Sequence, residues 1–317
     1  DLDKGKFTLT NGLQTQDLNL NLLNSSTLNA KSLTSKGAST INLNDKAELT
    51  ITDILTSENL TLMLENESKF KANTLTASGV VNLQGDKNAT LTLDTLTLDN
   101  AQANINAKAN IKNLTLNNTK ETAIGENVSI TTLKLTDSTA NLQNLNTNLP
   151  QSITLNEKSN LYFNELNLNT NGLTLTSDDS SKAHIKRLIY DAKTAQNGAN
   201  TAPQSNLSVS ELFKLDNVGK NLGKTQGTEQ EKLNKDLLTL EFGKTLTLQS
   251  SATLQVSFAD IVKKDSTDLI FNKDYKIFTA GSLIYGDNLD IRLNLAGSES
   301  NFFATGKFQD NAFLVEF

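Results

Sequence analysis

Hydrophobic residues alternate with threonine or asparagine along much of this chain, and the alternating phrases recur at a constant interval. Two series advance in steps of 21 residues: Leu28, Leu49, Phe70 and Leu91, and Leu20, Ile41, Leu62 and Leu83. A third series starts with the same step and continues at 18 to 20 residues: Leu33, Ile54, Leu75, Leu96, Leu114, Leu133, Ile153 and Leu173. Apolar positions that recur in step indicate a repeat architecture.

Each phrase has the period of a β-strand. In Leu91-Thr92-Leu93 every second residue is apolar, which is typical of a short strand with one buried face. A leucine-rich repeat has one strand in a fixed frame, whereas this repeat contains three strand phrases and no helical spacing. The pattern therefore predicts an all-β fold, a right-handed parallel β-helix with three short strands per coil of about 20 residues.

The stacking of coils explains the composition. A buried Leu stabilises the fold by roughly 1.5–3 kcal/mol, and it does so only where neighbouring coils cover it. Asparagine tolerates left-handed backbone at corners and can stack in amide ladders, so it is expected to be common at the corners. No capping element precedes Phe7, so we expect the array to continue towards the N-terminus.

Periodicity divides the chain into three parts. Residues 1–176 are predicted to form the β-helix array, and residues 237–317 the final coils and a cap. Between them, residues 177–236 lose the period and are interpreted as an insertion that projects from the rod. Within this insertion, Ile185, Leu188 and Ile189 follow helical spacing, which predicts a helix over Ser181–Gln196.

The last 60 residues differ from the array because aromatic residues concentrate there. Large side chains at the end of a solenoid suit a cap that closes the core. The residues assigned to this cap are Tyr275, Phe278, Phe302, Phe308 and Phe313.

Composition excludes several kinds of site. The chain has no cysteine and one histidine, His184, so disulfides, thiolate nucleophiles and zinc sites with several histidines are excluded. Its net charge of −6 and its lack of a basic cluster argue against nucleic-acid binding. No cofactor and no metal are expected.

Two features resemble the passenger domains of bacterial autotransporters, which are exported by type V secretion. The first is the recurring phrase of small polar residues before an alternating strand, as in Asp45–Ile51, 87–93 and 250–256. The second is the phrase Tyr275-Lys276-Ile277-Phe278-Thr279-Ala280-Gly281, which is similar to the start of the family's autochaperone cap. The abundance of Asn, Lys and Leu is most similar to passengers of Helicobacter and Campylobacter, including the vacuolating-cytotoxin-like group.

The resemblance implies a location and partners. It implies export through the periplasm and outer membrane to the cell surface or the medium. The expected partners are a host-cell receptor or matrix component and the protein's own C-terminal membrane β-barrel, which lies outside this sequence. The implied function is that of a non-enzymatic virulence factor for adhesion or host-cell binding. The alternative is the receptor-binding or oligomerising part of a vacuolating-cytotoxin-like toxin.

The candidate partner-binding surface is the predicted helix of the insertion, with Lys182, His184, Lys186, Arg187 and Tyr190. The alternative is that this helix packs its apolar side on the flank of the rod and has a structural role. A remote alternative uses the same segment for catalysis. Parallel β-helix pectinases pair aspartates near a histidine and basic residues, and adjacent carboxylates can divide acid and base roles. Here Asp178 and Asp179 precede His184, but a role as helix N-terminal caps accounts for them more simply.

One modification motif is present. The phrase Asp86-Lys87-Asn88-Ala89-Thr90 fits the extended acidic sequon that some bacterial N-glycosylation systems use. Asn-x-Ser/Thr triplets are frequent in a chain rich in Asn and Thr, so this motif alone leaves modification of Asn88 open.

Overall fold

The computed structural model describes residues 1–142, 149–168, 173–192, 202–219, 240–258, 274–295 and 303–317. These residues form a parallel β-solenoid of about 9 turns with a repeat of about 21 residues, and none of them is helical. The predicted all-β solenoid is confirmed. The chain divides into two compact units, Asp1–Tyr162 and Phe163–Phe317. The boundaries at 176 and 236, drawn from periodicity, remain predictions.

The first unit consists of strands that stack in parallel on the equivalent strand of the next coil. Its strands are β1 (Leu2–Asp3), β2 (Lys6–Leu9), β3 (Leu13–Thr15), β4 (Leu18–Leu23), β5 (Thr27–Ala30), β6 (Leu33–Ser35), β7 (Ala38–Leu43), β8 (Glu48–Ser57), β9 (Asn59–Leu64), β10 (Lys69–Gly85), β11 (Thr90–Asn106), β12 (Ala109–Asn117), β13 (Thr122–Ile124), β14 (Val128–Thr136), β15 (Thr139–Leu142) and β16 (Ser152–Asn156). Strand β17 (Asn160–Asn167) includes the boundary between the units.

The second unit combines parallel strands with an antiparallel end. Its strands are β18 (Thr174–Ser177), β19 (Lys182–Asp191), β20 (Leu207–Val218), β21 (Leu240–Leu248), β22 (Thr253–Phe258), β23 (Asp274–Tyr285), β24 (Asp290–Asn294), β25 (Thr305–Gln309) and β26 (Ala312–Glu316).

The 21-residue series are columns of the core. Phe70 is aligned with Leu49 on one side and with Leu91 on the other, and all three side chains are buried. The third series needs corrections at Ile54 and at Leu173, which is half-buried and precedes strand β18, where Leu175 is the buried leucine. Leu55, not Ile54, is aligned with Leu33 and Leu75, and Ile54 is aligned with the outward Thr74. Strand β8 has one more residue at its bend than β10, and this extra residue turns Ile54 outward.

Four corners share one turn conformation. In each corner, two consecutive residues have φ between 51° and 65°. The backbone N–H of the residue after the pair donates a hydrogen bond to the carbonyl oxygen of the residue before it and closes the turn, as in a type I′ turn. The pairs are Asn24–Ser25, Asp45–Lys46, Asn66–Glu67 and Glu157–Lys158. A small, fully buried residue follows each pair: Ser26, Ala47, Ser68 and Ser159. Left-handed backbone explains the Asn and Asp found at several of these corners.

Amide side chains connect successive coils, as the asparagine content predicts. The Nδ2 of Asn42 donates to Oδ1 of Asn21 at 2.8 Å, and Asn21 in turn donates to Asp1. Asn66 likewise donates to Oδ1 of Asn44 at 2.7 Å. Each bond joins side chains one coil apart, so the ladder fixes the register of the polar surface as leucine fixes that of the core.

The predicted helix over Ser181–Gln196 is wrong, because residues 182–191 form strand β19. The inward residues Ala183, Ile185, Leu188 and Tyr190 are separated by two, three and two residues, since a two-residue corner interrupts the alternation. That interruption imitates helical spacing. Strand β19 pairs in parallel with β20, so these two strands are coils of the solenoid and do not project from it. The remaining expected insertion, at 193–201 and 220–236, lies outside the described residues.

The C-terminal end is closed by a hairpin. Strand β26 runs antiparallel to β25 and to the first half of β23. Of the expected cap residues, Tyr275, Phe278 and Phe313 are fully buried, and Phe313 stacks on Phe278 with ring centroids 5.7 Å apart. Phe308 is half-buried between Phe313 and Tyr285. Phe302 lies outside the described residues.

Two phenylalanine substitutions, one buried in the cap and one exposed, test this packing. Phe313→Ala leaves a cavity among buried rings and should destabilise the protein by about 3–5 kcal/mol. Phe303, which is 90% exposed, provides the control, and Phe303→Ala should change stability by less than about 0.5 kcal/mol. Urea unfolding followed by circular dichroism measures both variants. Equal loss of stability in the two would contradict the assignment of Phe313 to the core of the cap.

Candidate functional site

Strand β19 carries all five residues predicted for partner binding, but they do not share one surface. Lys182 and His184 alternate with buried residues and are half-exposed, while Lys186 and Arg187 are exposed at the corner. Tyr190 is only 4% exposed and belongs to the core. The outward members Lys182, His184, Lys186 and Arg187 are called the basic patch below.

Acidic residues neutralise part of the positive charge in and around the basic patch. Nη1 of Arg187 lies 3.4 Å from Oε2 of Glu165. On neighbouring coils, Lys244 pairs with Asp179 at 2.6 Å and Lys214 with Asp216 at 2.6 Å. Exposed ion pairs contribute about 0–1 kcal/mol, so these contacts orient the side chains more than they stabilise the fold.

His184 has an unusual environment for an outward residue. Burial against the neighbouring strands lowers its pKa, and the positive charge of Lys182 lowers the pKa further. His184 is aligned with Ser208 of β20. Burial also raises the pKa of Tyr190, with Asp191 adding to the effect, which agrees with its position in the core.

The two aspartates considered for catalysis have separate structural roles. Oδ1 of Asp178 accepts the backbone N–H groups of Ser180 and Ser181, at 3.0 and 2.8 Å, and so closes the turn that leads into β19. The carboxylate of Asp179 is fully exposed and binds Lys244. Asp178 therefore caps a turn before a strand, whereas the sequence predicted that it caps a helix.

A second candidate surface was not singled out in the sequence. Two columns of outward side chains run along one side of the first unit, and both consist mainly of threonine. Register places their members one above another: Thr34, Thr56, Thr76, Thr97, Thr115, Lys134 and Thr154 in one column, and Thr74, Thr95, Asn113, Thr132 and Ser152 in the other. These twelve side chains are called the hydroxyl ribbon.

The spacing within the hydroxyl ribbon follows from β geometry. Neighbouring coils are about 4.8 Å apart, and positions i and i+2 of one strand are about 6.7 Å apart. The buried residues between the columns, such as Leu75, Leu96 and Leu114, pack in the core and hold the strands in register. The sequence signal for this surface is the recurrent phrase Thr-Leu-Thr, at 74–76 and 95–97.

Comparison with known protein families, with curated proteins and with solved structures found no match to this chain. Within the described ranges, three or more His, Asp or Glu side chains do not converge in a way that could hold a metal ion. No helix long and apolar enough to cross a membrane occurs in the part of the chain that the structure describes.

The environment of His184 leads to a pH prediction. Its pKa in the folded protein should lie below 6.5, so the unfolded chain takes up the proton first as the pH falls through this range, and stability decreases. Lys182→Ala should raise the pKa of His184 only in part, because burial is the larger cause. Since His184 is the only histidine, one NMR titration of the imidazole measures this pKa without ambiguity. A value at or above 6.5 would show that the imidazole is not desolvated.

Proposed function

We propose that this chain is the passenger domain of a bacterial autotransporter, located on the cell surface or released from it, and that it binds host cells without catalysis. The solenoid fold and the buried antiparallel cap with Tyr275 and Phe278 support the first part. The narrower likeness to Helicobacter and Campylobacter passengers depends on the sequence phrases alone.

The hydroxyl ribbon is the observation that carries the binding proposal. A hydroxyl group both donates and accepts hydrogen bonds, and ten of the twelve ribbon side chains carry one, in columns that extend over seven and five coils. A hydrogen bond contributes about 0.5–1.5 kcal/mol net because it replaces a bond with water. Useful affinity therefore requires several aligned bonds, which favours an extended ligand with repeated polar groups.

These properties suit a glycan chain of the host-cell surface or matrix. Such a chain presents hydroxyl groups along its length, and each additional contact is made by a ligand that is already held nearby. The ribbon side chains extend from paired strands, so little backbone entropy is lost on the protein side. The basic patch of the second unit would by itself attract acidic groups of a glycan electrostatically.

Substitutions in the ribbon test the proposal directly. The triple variant Thr76→Ala, Thr97→Ala and Thr115→Ala removes three hydroxyl groups from one column and should weaken binding to host cells about tenfold or more. Thr27→Ala, Thr50→Ala and Thr92→Ala remove three half-buried outward hydroxyl groups from other columns and serve as the control. Flow cytometry of labelled protein gives the apparent Kd. Equal binding by the two triple variants, or no saturable binding by the unaltered chain, would exclude the ribbon as the binding surface.

The basic patch makes a smaller and salt-dependent contribution. Lys182→Ala with Lys186→Ala should weaken binding about threefold at physiological salt, and the difference should disappear in about 1 M salt because the Debye length then falls to about 3 Å. Lys69→Ala, which removes an outward lysine of the first unit, is the control. A difference that persists in high salt would show that these lysines act by contact rather than by charge.

A further inference from the structure

Asn88 differs from the other asparagines in Asn-x-Ser/Thr triplets. The sequence contains eight such triplets, at Asn24, Asn59, Asn66, Asn88, Asn113, Asn117, Asn127 and Asn206. Only Asn88 has an acidic residue, Asp86, two positions before it. Bacterial transferases that read an acidic sequon would therefore find one complete motif in this chain.

Most of the other triplets use their amide groups to hold the fold. Five donate from Nδ2 to an oxygen, for example Asn117 to Asp99 at 2.6 Å and Asn24 to Asp3 at 2.8 Å. Asn59 instead accepts the backbone N–H of Val80 through Oδ1 at 2.9 Å. A sugar attached to these amides would disturb contacts between coils.

Asn88 and Asn127 are the two exceptions. Both are exposed, and neither side chain makes a hydrogen bond to the described residues. Asn88 lies in the loop between β10 and β11, where the corner departs from its usual conformation. Oδ1 of Asp86 accepts the N–H groups of Asn88 and Ala89, both at 2.8 Å, and this side-chain turn takes the place of the left-handed pair found in the three preceding coils.

The surface beside Asn88 can accommodate a sugar. An open polar groove of about 480 Å³ leads from Asn88 along the corners of the preceding coils. Its walls include Lys4, Asn24, Asp45, Asn66 and Glu67, which offer both donors and acceptors. A glycan on Asn88 thus meets a polar surface and displaces no core side chain.

We infer that Asn88 is an acceptor for N-linked glycosylation by a transferase that recognises the acidic sequon. The donor is an oligosaccharide carried on a polyprenyl pyrophosphate. The amide nitrogen of Asn88 forms a bond to the anomeric carbon as the bond from that carbon to the pyrophosphate oxygen breaks. The amide gives up one proton to the transferase, and the polyprenyl pyrophosphate leaves with the electron pair.

The folded corner sets the order of events. Asp86 also accepts the N–H of Asn66, at 2.7 Å, so three backbone groups occupy its carboxylate and lower its pKa. The backbone N–H of Thr90 donates to Ser68 at 3.0 Å as β11 begins. A transferase that must read Asp86 and Thr90 together needs these bonds open, so modification precedes closure of this coil.

The test uses the full chain, purified transferase and a lipid-linked oligosaccharide, and it does not depend on export or on adhesion. Chain diluted from denaturant should gain one glycan, and peptide mass spectrometry should place it on Asn88. Thr90→Ser should keep the modification, whereas Thr90→Val and Asn88→Gln should lose it. Gly125→Asp places an acidic residue two positions before Asn127 and should create a second acceptor.

The unaltered Asn127 is the matched control because it is exposed and its amide is available, but it lacks the acidic residue. Modification of Asn127 in the unaltered chain would overturn the inference. So would an unmodified Asn88 in a reaction that modifies a control acceptor peptide. The prefolded chain should react at least several-fold more slowly, and an equal rate would overturn the proposed order of events.

Discussion

The fold depends on one constraint, the register between each coil and the next. Parallel pairing aligns equivalent residues of successive coils about 4.8 Å apart, so each inward leucine is covered by the leucines above and below it. A slip of one residue would turn every inward side chain outward. Changes in coil length are consequently absorbed at corners and in the connections between strands. Leu96 and Leu114 are 18 residues apart, and Leu33 and Leu55 are 22 apart, yet each pair is aligned.

The same register organises the outer surface. Once Leu75, Leu96 and Leu114 are aligned, Thr76, Thr97 and Thr115 must be aligned as well, since strand residues alternate between the two faces. The hydroxyl ribbon and the asparagine ladders are therefore consequences of core packing. A sequence that aligns its core residues also aligns its outward residues, so a periodic polar surface needs no additional structural element. The residue types at the outward positions then determine what that surface can bind.

Sequence periodicity was sufficient for the solenoid and for the first two core columns, because both repeat a side-chain type. The prediction failed where a corner contains a different number of residues from the corners on which the pattern was based. The extra residue at the bend of β8 placed Leu55 in the column expected for Ile54, and the corner at Lys186 and Arg187 made β19 look helical. The phrase Ala183-His184-Ile185-Lys186-Arg187-Leu188 has the same order of inward and outward positions as 91–96, and that comparison identifies the strand. Burial of Tyr190 follows directly from it.

Corners are where the chain has freedom, and this explains where chemistry can be added. An inward position is fixed by two neighbours, and an outward position within a strand is confined by the pleat. A corner residue needs only to reverse the chain, which left-handed pairs, a side-chain turn from Asp86 or a two-residue bend can all achieve. Asn88 and Lys186 are both corner residues, and replacing either changes no stacked column. Asn88 and Lys186 therefore lie where the solenoid constrains side chains least.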